Sequence, residues 1–198
     1  MNEAFWDQMY QSSGTLWSGH SNPQLVTEAV DLSPGVALDV GCGEGADAIW
    51  LAGKGWRVTA VDLSTVALER GAAHALGVSA DVAQRITWLH ADLTAWVPVA
   101  ASYDLVSAQF VHLPKDQREL LHRRLAESVA PGGTLLVVGP HPSDGGTTVP
   151  RPPVPGRFFT GSDVAAPLRP AQWDTPVAAA PARQPPPPTR PARPTPRP

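Results

Sequence analysis

The sequence predicts a doubly wound α/β domain with a mostly parallel sheet, and three observations predict it. Short apolar runs alternate with helical segments from Val36 onward. The first run opens into a loop with glycine at alternate positions, Gly41, Gly43 and Gly45, and acids stand at the ends of the next two runs, Asp62 and Asp92. Strands separated by helices imply βαβ crossovers, and open sheets of that kind bind ligands at the carboxyl ends of their strands, near the switch in strand order.

Taken in order, Val36–Val40 is a short apolar run before glycines and reads as a buried strand. Ala46–Lys54 is helical in composition and stops at Gly55. Arg57–Asp62 is a second strand, β-branched at Val58, Thr59 and Val61. Ser64 caps a helix expected to run to Leu76, with Gly77 just past its end. Ile86–Asp92 and Tyr103–Ala108 read as the third and fourth strands. Leu121, Leu125 and Val129 recur at i, i+4, i+8 among polar neighbours, which predicts an amphipathic helix between Pro114 and Val129. Pro131-Gly132-Gly133 should break it, with Thr134–Val138 as a fifth strand.

The bulk numbers favour one domain in 198 residues, with 42% hydrophobic and 17% charged residues. No apolar run approaches the ~20 residues that span a bilayer, and the N-terminus shows no export signal, so a cytoplasmic setting without membrane contact is expected. A lone cysteine, Cys42, excludes an internal disulfide and a multi-cysteine metal site; no metal is expected. Residues 181–198 hold four arginines and no acid, leaving a body of −7 within a chain of −3. An acidic body argues against nucleic acid as a partner.

The glycine spacing narrows the ligand. A dinucleotide fingerprint is G-x-G-x-x-G with a pyrophosphate on the helix N-terminus, whereas here the pattern is G-x-G-x-G followed by Ala46 and Asp47. Glu44 and Asp47 suit the helix dipole but would repel a pyrophosphate, and Asp39 adds a third carboxylate. A ligand with a cationic centre and no phosphates fits better. Asp62 can accept from both ribose hydroxyls, or else serve as the N-terminal carboxylate of the helix at Ser64-Thr65. Asp92 can accept from an adenine amine, or else close a turn. Ribose, adenine, sulfonium and amino acid together describe S-adenosylmethionine.

The run Val36–Gly45 (VALDVGCGEG) resembles the first motif of class I S-adenosylmethionine-dependent methyltransferases, and Val58–Ser64 (VTAVDLS) resembles their second-strand motif. His90–Leu93, Tyr103–Pro114 and Ala130–Gly139 resemble the later motifs, in order and at fitting intervals. Phe5–Leu25 is similar to the N-terminal segment of small-molecule methyltransferases of the tellurite-resistance and thiopurine type. The resemblance covers about residues 1–180 and implies a Rossmann-like fold with S-adenosylmethionine as cofactor. It implies a small-molecule acceptor and cofactor contacts from Asp39, Gly41, Cys42, Gly43, Gly45, Asp62, Leu63, Asp92, Leu93 and Gln109. It also implies a covering segment within residues 1–30 that brings Trp6, Tyr10 and Trp17 near the cofactor, unless these aromatics are a core-facing stripe.

His112, after the fourth strand, is the first candidate for general base or acceptor contact, against the alternative of a loop histidine with solvent or backbone partners. His141 is a second choice, and His20 could line the roof. His74 and His122 sit among polar residues and are expected at the surface. Cys42 reads as a packing residue. The likeness fades at the end. Arg157–Val164 still looks like the start of a late helix and Gln172-Trp173-Asp174 like the approach to a sixth strand, but proline and arginine follow. The antiparallel C-terminal strands are therefore expected to be incomplete, and residues 181–198 to form a disordered or polyproline II tail. A shifted reading frame in a GC-rich gene, or a natural partner-docking tail, would each give that composition. Two rival functions remain at this point: a non-catalytic cofactor-binding relative and a nicotinamide-dependent oxidoreductase.

Overall fold

The computed structural model describes residues 1–12, 19–143, 154–169, 171–178 and 180; the proline-arginine tail lies outside them. Two helices, α1 (Glu3–Ser12) and α2 (Pro23–Ala29), precede the sheet. The alternating core then runs β1 (Val36–Val40), α3 (Ala46–Gly53), β2 (Arg57–Asp62), α4 (Thr65–Val78), α5 (Ala80–Gln84), β3 (Ile86–His90), β4 (Tyr103–Gln109), α6 (Lys115–Ser128) and β5 (Val129–Val138), before a short α7 (Gly161–Ala165). The strands lie in the order β3-β2-β1-β4-β5, all parallel, so the direction of winding reverses between β1 and β4. This is the doubly wound sheet that the alternation predicts, and its switch point falls beside the glycine loop.

Alternation along each strand divides the core into two layers. Ala37, Val58, Ala60 and Leu105 pack with Leu51, Ala52, Ala75 and Val82 of α3, α4 and α5. Leu38, Val40, Val61 and Val106 face Leu121 and Leu125 of α6. Leu38, Leu51, Leu105, Leu121 and Leu125 are wholly buried, and each contributes about 1.5–3 kcal/mol of transfer free energy. β3 and β5 are the outer strands, and Leu135–Val138 of β5 are only half-buried.

Two boundaries in particular differ from expectation. Gly77 does not end its helix: α4 continues to Val78 and stops at Ser79, whose extended backbone (φ −171°) breaks it. The Ser79 hydroxyl then accepts from the Val82 amide at 3.1 Å and starts α5, so one serine ends one helix and begins the next. Pro131-Gly132-Gly133 does not delay the fifth strand, which begins at Val129 paired with Tyr103 and absorbs the interruption as a register shift. Gln172 and Trp173, which read as the approach to an incomplete sixth strand, lie in no strand, and both amides are satisfied locally by the Arg169 carbonyl, at 2.8 and 3.1 Å. The late helix does form as α7, closed by a capping box of Thr160 and Asp163.

His122 is a further correction, for it is buried rather than at the surface (7% exposed). The segment after β5 folds back over α6 and covers it. Arg118 donates to the Gly156 carbonyl at 2.6 Å and lies 4.7 Å over the Phe159 ring, which meets His122 edge-on at 5.7 Å. Burial first, and then the Arg118 charge, lower the imidazole from its ordinary 6.5 to about 4. The unfolded chain therefore takes up a proton below pH 6.5 that the folded chain refuses until about pH 4. This contribution is complete above that window and is lost as pH falls through it. Denaturant unfolding of wild type and His122→Phe should diverge across the window, the wild type losing about 3 kcal/mol relative to the variant. Parallel pH profiles would refute the assignment.

Candidate functional site

The loop Gly41–Gly45 leaves β1 at the switch point and is held on the neighbouring strand. The Val61 carbonyl accepts from the Gly41 and Cys42 amides at 2.8 and 3.1 Å, and the Asp62 carboxylate accepts from Gly43 at 2.9 Å. All three glycines have positive φ (69°, 53° and 81°), which a side chain at those positions would oppose. They do different work. A Cβ on Gly41 would sit 3.1 Å from Val111 of the loop after β4, so Gly41 keeps two edges of the cleft close. A Cβ on Gly45 would sit 2.3 Å from the Trp88 ring, and one on Gly71 would sit 2.6 Å from it. The third glycine therefore admits Trp88 of β3 beneath the loop, a packing function that spacing alone does not reveal.

Of the four acids at the loop, Glu44 is neutralised. It is nearly buried and pairs with Arg70 of α4 at 3.1 Å, so it does not face a ligand as an open charge. Asp47, in the first turn of α3, accepts from the Asn22 amide at 2.6 Å and ties α2 to the loop. Asp62 accepts from Gly43 with one oxygen and from Ser64 with the other, both at 2.9 Å, and the Leu63 amide adds a further backbone donor, which leaves only part of its acceptor capacity open. Asp39, on β1, accepts from Ala48, and its Oδ2 is buried without a partner. Burial, then the charges of Asp47 and Asp62, push the Asp39 carboxyl well above the usual range. Burial also pushes Asp62 up against the pull of its backbone donors. Among the described residues, none of Asp39, Asp47 and Asp62 forms an ion pair with Lys or Arg.

Across the seam, Asp39 pairs in register with Ser107, whose hydroxyl accepts from Gln109 Nε2 at 3.0 Å. The Gln109 Oε1 is a second buried acceptor without a partner. Phe110 follows in the left-handed region (φ 54°), unusual for a bulky residue and costing about 1–3 kcal/mol. No signal in the sequence marked it. His112 comes next, and the Trp6 ring of α1 stacks on it at 5.9 Å and 16°. α1 is also held by the adjacent Asp7, which accepts from Ser64, and at its first residue by Glu3, 3.1 Å from His90 Nε2. That nitrogen also lies 2.9 Å from the Leu63 carbonyl; two acceptors around it mean that Nε2 carries the hydrogen. The helix thus spans from the ends of β2 and β3 to the loop after β4.

The remaining expected residues divide. Asp92 is exposed, and its Oδ1 accepts from both the amide and the hydroxyl of Thr94, closing its own turn. Leu93 is buried in the layer under α6, so its side chain belongs to the core. Cys42 packs against the other layer, and burial raises its thiol, as the nearby carboxylates also do, which removes it as a thiolate nucleophile. Tyr10 is buried, His20 is exposed, and His141 turns to Ser143 at 2.9 Å. Trp17 lies outside the described residues. A groove of about 500 Å³ lined by Arg57, Thr59, Arg85 and Thr87 opens at the amino ends of β2 and β3, away from the loop. Among the described residues no group of His, Cys, Asp or Glu could hold a metal ion, and no helix is long and apolar enough to cross a membrane.

Residues 37–133 match the family model described as a methyltransferase domain. The chain carries the methyltransferase domain of the class I S-adenosylmethionine-dependent family. It is 38% identical over 124 residues to an uncharacterized methyltransferase of Mycobacterium tuberculosis, covering 62% of this chain and 59% of that protein. A trans-aconitate 2-methyltransferase of Azoarcus is 33% identical over 153 residues, covering 74% and 56%. The chain thus spans under two thirds of the relatives that it matches. A glycopeptide N-methyltransferase solved with S-adenosylmethionine has the same fold, at a TM-score of 0.53 and 24% identity over 69% of this chain and 61% of that one.

The residues present suit S-adenosylmethionine, the cofactor of this family. Two unpartnered acceptors, Asp39 Oδ2 and Gln109 Oε1, flank the loop and require a donor. Among the described residues, Asp39, Asp47 and Asp62 have no Lys or Arg ion-pair partner. The packing under the loop is separately testable. Gly71→Ala should cost about 1–3 kcal/mol through overpacking against Trp88, and Trp88→Leu should recover most of it in the double variant. Additive losses in thermal or denaturant unfolding would show that the two do not touch.

Proposed function

We propose that this chain transfers a methyl group from S-adenosylmethionine to a small-molecule acceptor by in-line displacement. The observation that carries the reading is a glycine loop at the switch point beside Asp39, Asp47 and Asp62, which have no Lys or Arg ion-pair partner among the described residues, with two buried acceptors left open next to it. Such a site disfavours a pyrophosphate and favours a cationic, phosphate-free nucleoside. The family likeness supports the transfer chemistry, and the trans-aconitate methyltransferase, named for a small organic acid, supports a small acceptor. In this reading Asp62 holds the ribose hydroxyls. Asp92 and Leu63 flank the adenine, Leu93 supports that wall from the core, and Gly41, Cys42 and Gly43 pass close to the amino-acid end. The work is placed in the cytoplasm, on residues 1–180.

The cofactor supplies a methyl carbon already activated on sulfur, so the protein's task is alignment, worth up to about 7–11 kcal/mol. α1 covers the cleft and excludes water, and Trp6 fixes the ring of His112 over the acceptor side. His112 takes the acceptor proton where the nucleophile is protonated, or orients the acceptor where it is not.

Calorimetry should show micromolar binding of S-adenosylmethionine and none of NAD; the reverse would convert the reading to an oxidoreductase. Asp62→Ala should weaken the cofactor at least about tenfold, or 1.4 kcal/mol, and an unchanged Kd would remove Asp62 from the site. In a labelled-methyl assay against small thiols, phenols and carboxylic acids, His112→Ala should lower turnover at least about a hundredfold with cofactor Kd unchanged. Intact cofactor binding with no transfer to any acceptor would instead indicate a non-catalytic relative.

A further inference from the structure

α6 buries a positive charge that its own surroundings do not balance. Arg118 is 4% exposed, yet among the described residues no carboxylate stands at ion-pair distance from it. The two acids that act on it, Glu119 and Asp163, are engaged elsewhere. Glu119 pairs with Lys115 at 3.0 Å, and Asp163 Oδ2 accepts from the Thr160 amide and hydroxyl to cap α7. A guanidinium has five N–H donors, and the described hydrogen bond, to the Gly156 carbonyl, uses one of them. Burial lowers Arg118 from its ordinary value more than those distant acids raise it.

His122 stands one turn further along the same face of α6. It is 7% exposed, and among the described residues its ring makes no hydrogen bond. The charged groups around it are Arg118 and Glu119 of its own helix, while the covering segment presents the uncharged Phe159. Held neutral by burial and by Arg118, the imidazole has one N–H to donate. Buried charges are normally paired and buried polar groups hydrogen-bonded, so two such side chains side by side call for an anion that accepts from both. Their position favours the acceptor over the cofactor. Phe159, which touches both, lies against Gly139 just past β5, where a Cβ would meet its ring at 2.3 Å. α6 itself follows the loop after β4 that carries His112. The pair thus borders the carboxyl ends of β4 and β5, on the His112 side of the switch point.

We propose that Arg118 and His122 form a carboxylate-binding site for the acceptor, so that the molecule methylated by this chain is a small organic acid whose carboxylate lies apart from the methylated atom. This rests on the transfer reading above and names the acceptor's class. The carboxylate is bound and not altered. It is a separate group because N–H donors on the nucleophile itself would hold the lone pair that attacks the methyl carbon. A neutral acceptor leaves the guanidinium unpaired, and that difference selects the acid.

The test takes the chain saturated with S-adenosylhomocysteine and adds acceptor analogues in matched pairs: 4-hydroxybenzoate against 4-hydroxybenzamide, and 3-mercaptopropionate against 3-mercaptopropionamide. Calorimetry should give the acid of at least one pair a Kd about tenfold or more below that of its amide. Nitrogen NMR of the His122 ring should show its titration rising from about 4 with that acid, because a neighbouring carboxylate favours the imidazolium, and staying in place with the amide. Arg118→Gln should erase the preference, and Arg118→Lys, which keeps the charge, should retain part of it. A residue that only pins Gly156 would lower stability in both variants and leave the acid-to-amide ratio as it was, which refutes the proposal. Equal binding or no binding of acids and amides refutes it too, as does an unmoved His122 titration, a readout that needs no variant to fold. Failure of S-adenosylhomocysteine itself to bind would instead strike the cofactor reading, and this inference with it.

Discussion

The Asp62 carboxylate is the junction on which the site depends. One oxygen takes the Gly43 amide and the other takes the Ser64 amide, so a single side chain joins the glycine loop to the end of β2 and the start of α4. The Ser64 hydroxyl carries the linkage onward in two directions. It accepts from Ala67 to cap α4, and it donates to Asp7 to seat α1 over the cleft. Three chain segments that meet nowhere else in sequence are thereby registered on one carboxyl group.

Charge is distributed with the same economy. Glu44 would crowd the loop with a further negative group, but Arg70 neutralises it, and its nearly buried position makes that pairing stronger than a surface ion pair would be. Asp47 is used to hold the N-terminus of α2. What remains is a deficit of positive charge confined to Asp39 and its neighbours, in a part of the molecule from which water is excluded. Beneath the glycine loop, Trp88 fills the space that Gly45 and Gly71 leave, so the loop with its three left-handed glycines rests on an aromatic plate.

Much of the fold was legible because hydrophobic period is a local signal. β1, β2 and β4 and the helices α3 and α6 fall within a residue or two of their expected limits, each announced by an apolar run or an i, i+4 stripe. The parts that were not legible are those decided by contact at a distance. Pro131-Gly132-Gly133 reads as a break, yet pairing of Val129 with Tyr103 extends β5 through it. Gly77 reads as a helix end, yet α4 runs two residues beyond Leu76 to Val78 and is broken only at Ser79, whose amide still donates to the Ala75 carbonyl. His122 reads as a surface residue from its neighbours on α6, yet Phe159, 37 positions away, closes over it.

The sequence by itself determined the class of ligand: glycine spacing and acids are chemical properties of residues, and they survive without coordinates. Asp39, Gly41, Gly43, Asp62, Gln109 and His112 all come to the switch point because the alternation of strands and helices places strand ends there. Only the tertiary structure decided which of these groups are free to act. Hydrogen-bond saturation is a property of neighbours in space. It left Asp39 and Gln109 with open acceptors, turned Asp92 to its own turn and Glu44 to Arg70, and set Trp6 against His112.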